Sequence, residues 1–169
     1  MADIEIDKSE LPSPVYLIVA DETNEFDLAL RYAGRTAQLH DARLAVLYII
    51  PSGEAIFMPW ANVSDKIAEE KRLESEQVLK IVGERLSEYG LTPALYLREG
   101  KPTDVILELV NSDPDICKLI LAGDANGTSP GPLTSYFCGG KGLSELKVPV
   151  TIIPSHISEE ALDHLARLG

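Results

Sequence analysis

Long apolar runs, basic clusters and cysteine pairs are what this 169-residue sequence has least of, and each shortage removes a class of function. No apolar stretch approaches the roughly 20 residues needed to cross a bilayer. The opening MADIEIDKSELPSP has neither a basic start nor an apolar block, so no secretory signal is read there and the cytoplasm is the expected location. Lys and Arg number 15 against 27 Asp and Glu, a formal net charge of -12. Without a local cluster of Lys or Arg the chain lacks the electrostatic footprint of a nucleic-acid binder, and an anionic lipid surface repels it for the same reason. The two cysteines, Cys117 and Cys138, make no disulfide framework and no zinc motif. Cys117 lies in an apolar run and is expected to pack as a small hydrophobe. Cys138 sits in a glycine-rich stretch with only Lys141 nearby and reads as an ordinary thiol.

Catalytic signatures are missing as well. His40, His156 and His164 are scattered, and His40 falls at a helix end, where a cationic ring favours the helix dipole. Neither H-E-x-x-H, G-x-S-x-G nor G-x-x-x-x-G-K-[ST] occurs. No catalytic residue and no protein-held metal is assigned. Asp21, Glu22 and Asp124 are carboxylates at strand ends, which serve as caps and solvated groups more often than as Mg²⁺ ligands. Mg²⁺ is expected only in company with a nucleotide.

What the sequence does have is alternation. VYLIVA (Val15 to Ala20) is a continuous apolar run of the kind buried on both faces of a parallel sheet. Phe26, Ala29, Leu30, Ala33 and Ala37 then recur at helical spacing, with Asn24 as a candidate cap. RLAVLYII (Arg43 to Ile50) is a second strand, stopped by Pro51. A loop with Phe57, Met58 and Trp60 follows as a candidate contact surface. A long helix is expected from about Ser64, with Val78, Leu79, Val82 and Leu86 inward and Gly90 closing it. TPALYLREG is a third strand. Pro102 opens a helix with Val105, Ile106, Leu109 and Val110 buried, ICKLILAG is a fourth strand and VPVTIIP a fifth. Ser158 caps a last helix with Leu162, Leu165 and Leu168 on one side. The order predicts a doubly wound α/β sandwich, a five-stranded parallel sheet covered by helices. Residues 1–14 form a polar arm, 15–154 the α/β domain and 155–169 a helical tail.

Ligands of such sheets bind beyond the carboxyl ends of the strands, where strand order reverses. With the first strand central, that crevice lies between Asp21 and the backbone after Leu121. A receiver domain would need an acceptor Asp at the end of the third strand, which here reads LREG. A flavodoxin would need a hydroxyl-rich phosphate loop after the first strand, which here is the acidic DETNE.

The pieces LIVAD, LAVLYII, EGKPTDVILELV, KLILAG and VPVTIIP, in that order, resemble the universal stress protein family from about Val15 to Pro154. The resemblance implies an adenine nucleotide alpha hydrolase-like sheet of strand order 3-2-1-4-5, a role in stress response, ATP as ligand, and a homodimer paired through the last strand, Val148 to Pro154. It also implies nucleotide contacts at Asp21, Ile50, Gly100 and Gly123. The family's loop after the fourth strand runs glycine, two residues, glycine, nine residues, then glycine and Ser or Thr. Here Gly123 fits the first place, Asn126 takes the second with Gly127 beside it, and the rest departs to SPGPLTSYFCGGKG. Gly127, Gly131, Thr134, Ser135 and Lys141 are the residues left to build an anion nest, and Pro130 and Pro132 each remove a backbone donor. Asp21 reads equally as a helix-entry cap, Gly100 as a turn residue, and the loop as a mobile or alternatively ordered connector. The expected function is binding or regulatory. The alternatives are a nucleotide-dependent enzyme with slow ATP hydrolysis and a ligand-free dimerisation module. Neither a nucleic acid nor a membrane is an expected partner.

Overall fold

The computed structural model describes residues 13–20, 24–51, 61–124 and 128–168. The candidates Asp21, Asn126 and Gly127, together with the aromatic loop of Phe57, Met58 and Trp60, lie outside the described residues.

Five strands form one sheet: β1 (Val15–Ala20), β2 (Arg43–Pro51), β3 (Ala94–Gly100), β4 (Ile116–Gly123) and β5 (Val150–Pro154). All neighbours run parallel, in the order β3-β2-β1-β4-β5. The sequence-derived sheet is therefore the observed one. Every residue of β1 is buried, which is why that strand reads as an unbroken apolar run. Its side chains divide by pleat between two cores. Tyr16, Ile18 and Ala20 join Phe26, Ala33, Val82 and Leu86 on one face. Val15, Leu17 and Val19 join Ile106, Val110 and Phe137 on the other.

The helices are α1 (Asn24–Leu39), α2 (Ala61–Ser87), α3 (Pro102–Ser112), α4 (Pro132–Phe137), α5 (Gly140–Glu145) and α6 (Glu159–Ala166). Phe26, Ala29, Leu30, Ala33 and Ala37 are all buried, as their spacing predicts. Helix α1 closes without a glycine. Asp41 takes the left-handed conformation (φ 52°), and the Ala42 N–H reaches the Ala37 carbonyl at 2.9 Å. Helix α2 starts three residues before Ser64 and closes at Gly90 (φ 72°), with Leu91 N donating to Leu86 O.

Residues 132–145 are ordered as α4 and α5, and Phe137 anchors α4 with no exposed surface. The structure corrects three local expectations. Cys117 is exposed because it falls at a register shift: Val15 pairs with Ile116 and Tyr16 with Lys118, so Cys117 is the extra residue left out of the pairing. In α6 the buried pair is Leu162 and Ala166, while Leu165 and Leu168 remain exposed. A four-residue step holds one face towards α1, and the three-residue steps chosen from sequence drift off it. Strand β5 begins at Val150, two residues later than VPVTIIP implies, since Pro149 has no N–H. The ladder opens instead with the Pro149 carbonyl accepting from Leu119 N at 2.9 Å.

Helix α6 is held on α1 by charge. Arg31 donates twice to Asp163, from Nε at 2.9 Å and from Nη2 at 2.8 Å, and Nη1 lies 2.8 Å from Glu159. Ser158 caps α6, its hydroxyl accepting from Ala161 N at 3.2 Å. Among the described residues no helix is long and apolar enough to cross a membrane.

Candidate functional site

The chain passes from β1 outward to β2 and β3, then returns through α3 to β4 on the other side of β1. Strand order therefore reverses between β1 and β4, and their carboxyl ends diverge into a crevice. A cleft of about 390 Å³ lies there, within the range of small-molecule sites. Val19 comes from β1 and Glu25 from the first turn of α1. Leu121 and Ala122 come from β4, followed by Asp124, and Pro130 through Thr134 form the far wall.

That wall is built by its own backbone chemistry. The Asp124 N–H donates to the Pro130 carbonyl at 3.2 Å, tying the end of β4 to the far wall. Gly131 has φ 94°, a conformation that side-chain-bearing residues avoid, and it turns the chain into α4. Pro132 then occupies the first helical position, where the missing N–H costs the helix nothing, and Ser135 N donates to Gly131 O at 2.9 Å. Thr134, 4% exposed, spends its hydroxyl on the Ala122 carbonyl at 3.3 Å and so ties the wall to β4. Ser135 faces outward, its hydroxyl 3.0 Å from that of Ser129.

The sequence candidates divide into three groups. Thr134 lines the cleft. Gly123 sits between the lining residues Ala122 and Asp124, but a Cβ on it would meet Ile152 Cγ2 at 3.2 Å, towards β5. Ile50 and Gly100 end β2 and β3 and do not line the cleft. Gly100 has φ 150° and lies across from Pro51, and a Cβ there would come 2.9 Å from Val105 Cγ2. Its turn reading thus has a structural basis of its own. Glu25 and the apolar liners Val19, Leu121, Ala122 and Leu133 were not singled out from sequence. Apolar residues at strand ends look like ordinary core, and only the strand order exposes them to a crevice.

The shifted glycine cluster has a packing role. A Cβ at Gly142 would run into the Tyr136 carbonyl oxygen and come 2.9 Å from Phe137 Cα, and one at Gly139 would lie 3.2 Å from Tyr136 O. These glycines let α5 close onto α4. The Tyr136 hydroxyl adds a 2.8 Å bond to Glu145 Oε2, and that carboxylate raises the phenol's pKa. Among the described residues no group of three His, Cys, Asp or Glu side chains is placed to hold a metal ion.

A five-stranded parallel sheet in this order, with a cleft at its reversal point, defines a doubly wound α/β protein. Residues 16–117 match the model of the universal stress protein family, and the chain belongs to that family. No curated protein matches it by sequence. Solved structures of similar fold include a universal stress protein UspA from Lactobacillus plantarum, 18% identical at a TM-score of 0.68, covering 85% of this chain and 99% of that one. Another is the universal stress protein from Archaeoglobus fulgidus in complex with dAMP, 17% identical at 0.59, covering 84% of this chain and 98% of that one. A family protein from Arabidopsis thaliana with AMP bound is 17% identical at 0.55, covering 85% of this chain and 92% of that one.

Proposed function

We propose that this protein is a regulatory stress-response protein of the cytoplasm that binds an adenine nucleotide in the cleft between β1 and β4 and works as a homodimer. The observation that carries the reading is the cleft itself, at the reversal of strand order and walled by Val19, Leu121, Leu133 and Thr134. The relatives of similar fold that hold dAMP and AMP support the choice of ligand. ATP is the ligand the family resemblance implies, with Mg²⁺ only as its companion. The dimer would pair through β5, an edge strand of the sheet. Native mass spectrometry of the purified protein, with equilibrium dialysis against AMP, tests the ligand. Retained adenine nucleotide without phosphate release supports a binding role. Steady turnover points to the enzymatic alternative, and the absence of any retention overturns the nucleotide reading.

A further inference from the structure

We infer that the tail helix α6 forms part of the contact between two copies of this chain, lending its flank of Ala161, Leu165 and Leu168 to a second α6 across the two-fold axis. This rests on the β5 pairing proposed above. Helix α2 lies over β2 and β3, and α1 over β1 and β4. The chain enters α6 directly after β5, through residues 155–158, and Leu162 shares a core with Ile153 of β5. The helices on this face therefore follow the strands beneath them in the order α2, α1, α6, and α6 stands nearest the β5 edge.

The faces of α6 follow from a turn of about 100° per residue. Leu162 and Ala166 are buried, and Asp163 is turned to Arg31 of α1. Ala161 and Leu165 fall on the flank opposite Asp163, so they look away from α1 and towards the open edge of the sheet. Leu168 continues the stripe, its N–H donating to Leu165 O at 3.0 Å. All three are exposed, Leu165 by 45% and Leu168 by 71%. Single exposed leucines are ordinary. Here the spacing i, i+4, i+7 makes one apolar seam, and none of the helix's carboxylates, Glu159, Glu160 and Asp163, lies on it.

The area that β5 leaves wanting identifies the occupant as a second copy. Strand β5 has only 5 residues, which supply a small part of the roughly 800 Å² that each partner of a stable dimer buries. Antiparallel pairing of two β5 strands sets the two-fold axis perpendicular to the sheet. Both α6 helices then lie on the same face, one on either side of the axis, and their apolar flanks meet. A seam without charge also suits two copies that each carry a formal charge of -12.

Sedimentation equilibrium of the full chain tests the inference. Leu165→Glu is expected to raise the dimer dissociation constant by about tenfold or more. Helical circular dichroism is expected to be retained, because Leu162 and Ala166 still seat α6. Leu73→Glu, at a similarly exposed leucine on α2, is expected to leave the constant unchanged. Cross-linking gives a readout independent of stability. With the exposed Cys117 and Cys138 changed to Ser, Leu165→Cys is expected to be joined to its counterpart by a short bis-maleimide, and Leu73→Cys is not. A dimer lost in Ile152→Glu but untouched by Leu165→Glu overturns the inference and leaves the β5 pairing standing. A chain that stays monomeric at every concentration overturns both. Equal weakening by Leu73→Glu and Leu165→Glu also overturns the inference, since any added charge would then suffice.

Discussion

At the residue scale, glycine positions separate packing from ligand chemistry. Gly142 and Gly140 stand in one six-residue helix, yet a methyl group at Gly142 collides with the α4 backbone while one at Gly140 meets nothing within 4 Å. Gly142→Ala is therefore expected to destabilise the fold by about 1–3 kcal/mol through overpacking. Gly140→Ala is expected to stabilise it by about 0.4–1 kcal/mol by restricting the unfolded chain. Urea midpoints at unchanged slope measure both, and equal shifts of the same sign would contradict this packing. Gly123 carries a related lesson. Its missing side chain leaves room for Ile152, so Gly123→Val would disturb the β4–β5 contact and is a poor probe of ligand binding.

At the scale of elements, α6 is a charge-docked helix and its attachment depends on pH. The Arg31 hydrogen bonds hold the Asp163 carboxyl below its ordinary 3.8, with Arg35 and Arg167 adding to the effect. Glu159 competes for the same guanidinium. A carboxyl depressed on folding contributes stability that is complete above its unfolded pKa and is lost as pH falls through the lower folded value. Undocking of α6 is therefore expected only below about pH 3.8, and Asp163→Asn is expected to flatten that acid limb and cost about 1 kcal/mol at neutral pH, since the pair is partly screened. Fluorescence or NMR of α6 across the acid range checks both, and an acid limb identical in the variant would refute the docking account.

The same elements show what was legible beforehand. The strands, α1 and α3 followed from apolar period, because β1 is buried on both faces and Phe26 through Ala37 keep one face inward, whereas the strand order came from the family resemblance. The exposure of Cys117 did not follow, since it depends on a register shift against β1, nor did the face of α6, which depends on how that helix meets α1. A cleft does lie between β1 and β4, and Pro130, Gly131, Pro132 and Thr134 of the anticipated loop form its far wall, but the helix α4 that carries this wall was not foreseen. SPGPLTSYFCGGKG looks like a broken phosphate loop until Pro132 is seen opening a helix and Phe137 anchoring it in the core.

At the scale of the molecule, net charge and an open sheet edge oppose one another. Strand β5 borders the sheet, its Val150, Thr151 and Ile152 only half-buried, and an edge of this kind seeks a partner. Pairing two copies through it satisfies both edges about a two-fold axis. Each copy also brings a formal charge of -12, so association works against like-charge repulsion that salt screens within about 10 Å at 0.1 M. A dimer joined by β5 is therefore expected to tighten as NaCl rises from about 0.05 to about 0.5 M, opposite to an assembly held by ion pairs. Ile152→Glu, placing a further carboxylate on the edge strand, is expected to shift the protein to monomer while the helical circular dichroism is retained. Light scattering across salt and protein concentration reads both effects. A dimer that loosens with salt, or that survives Ile152→Glu unchanged, would place the interface away from β5.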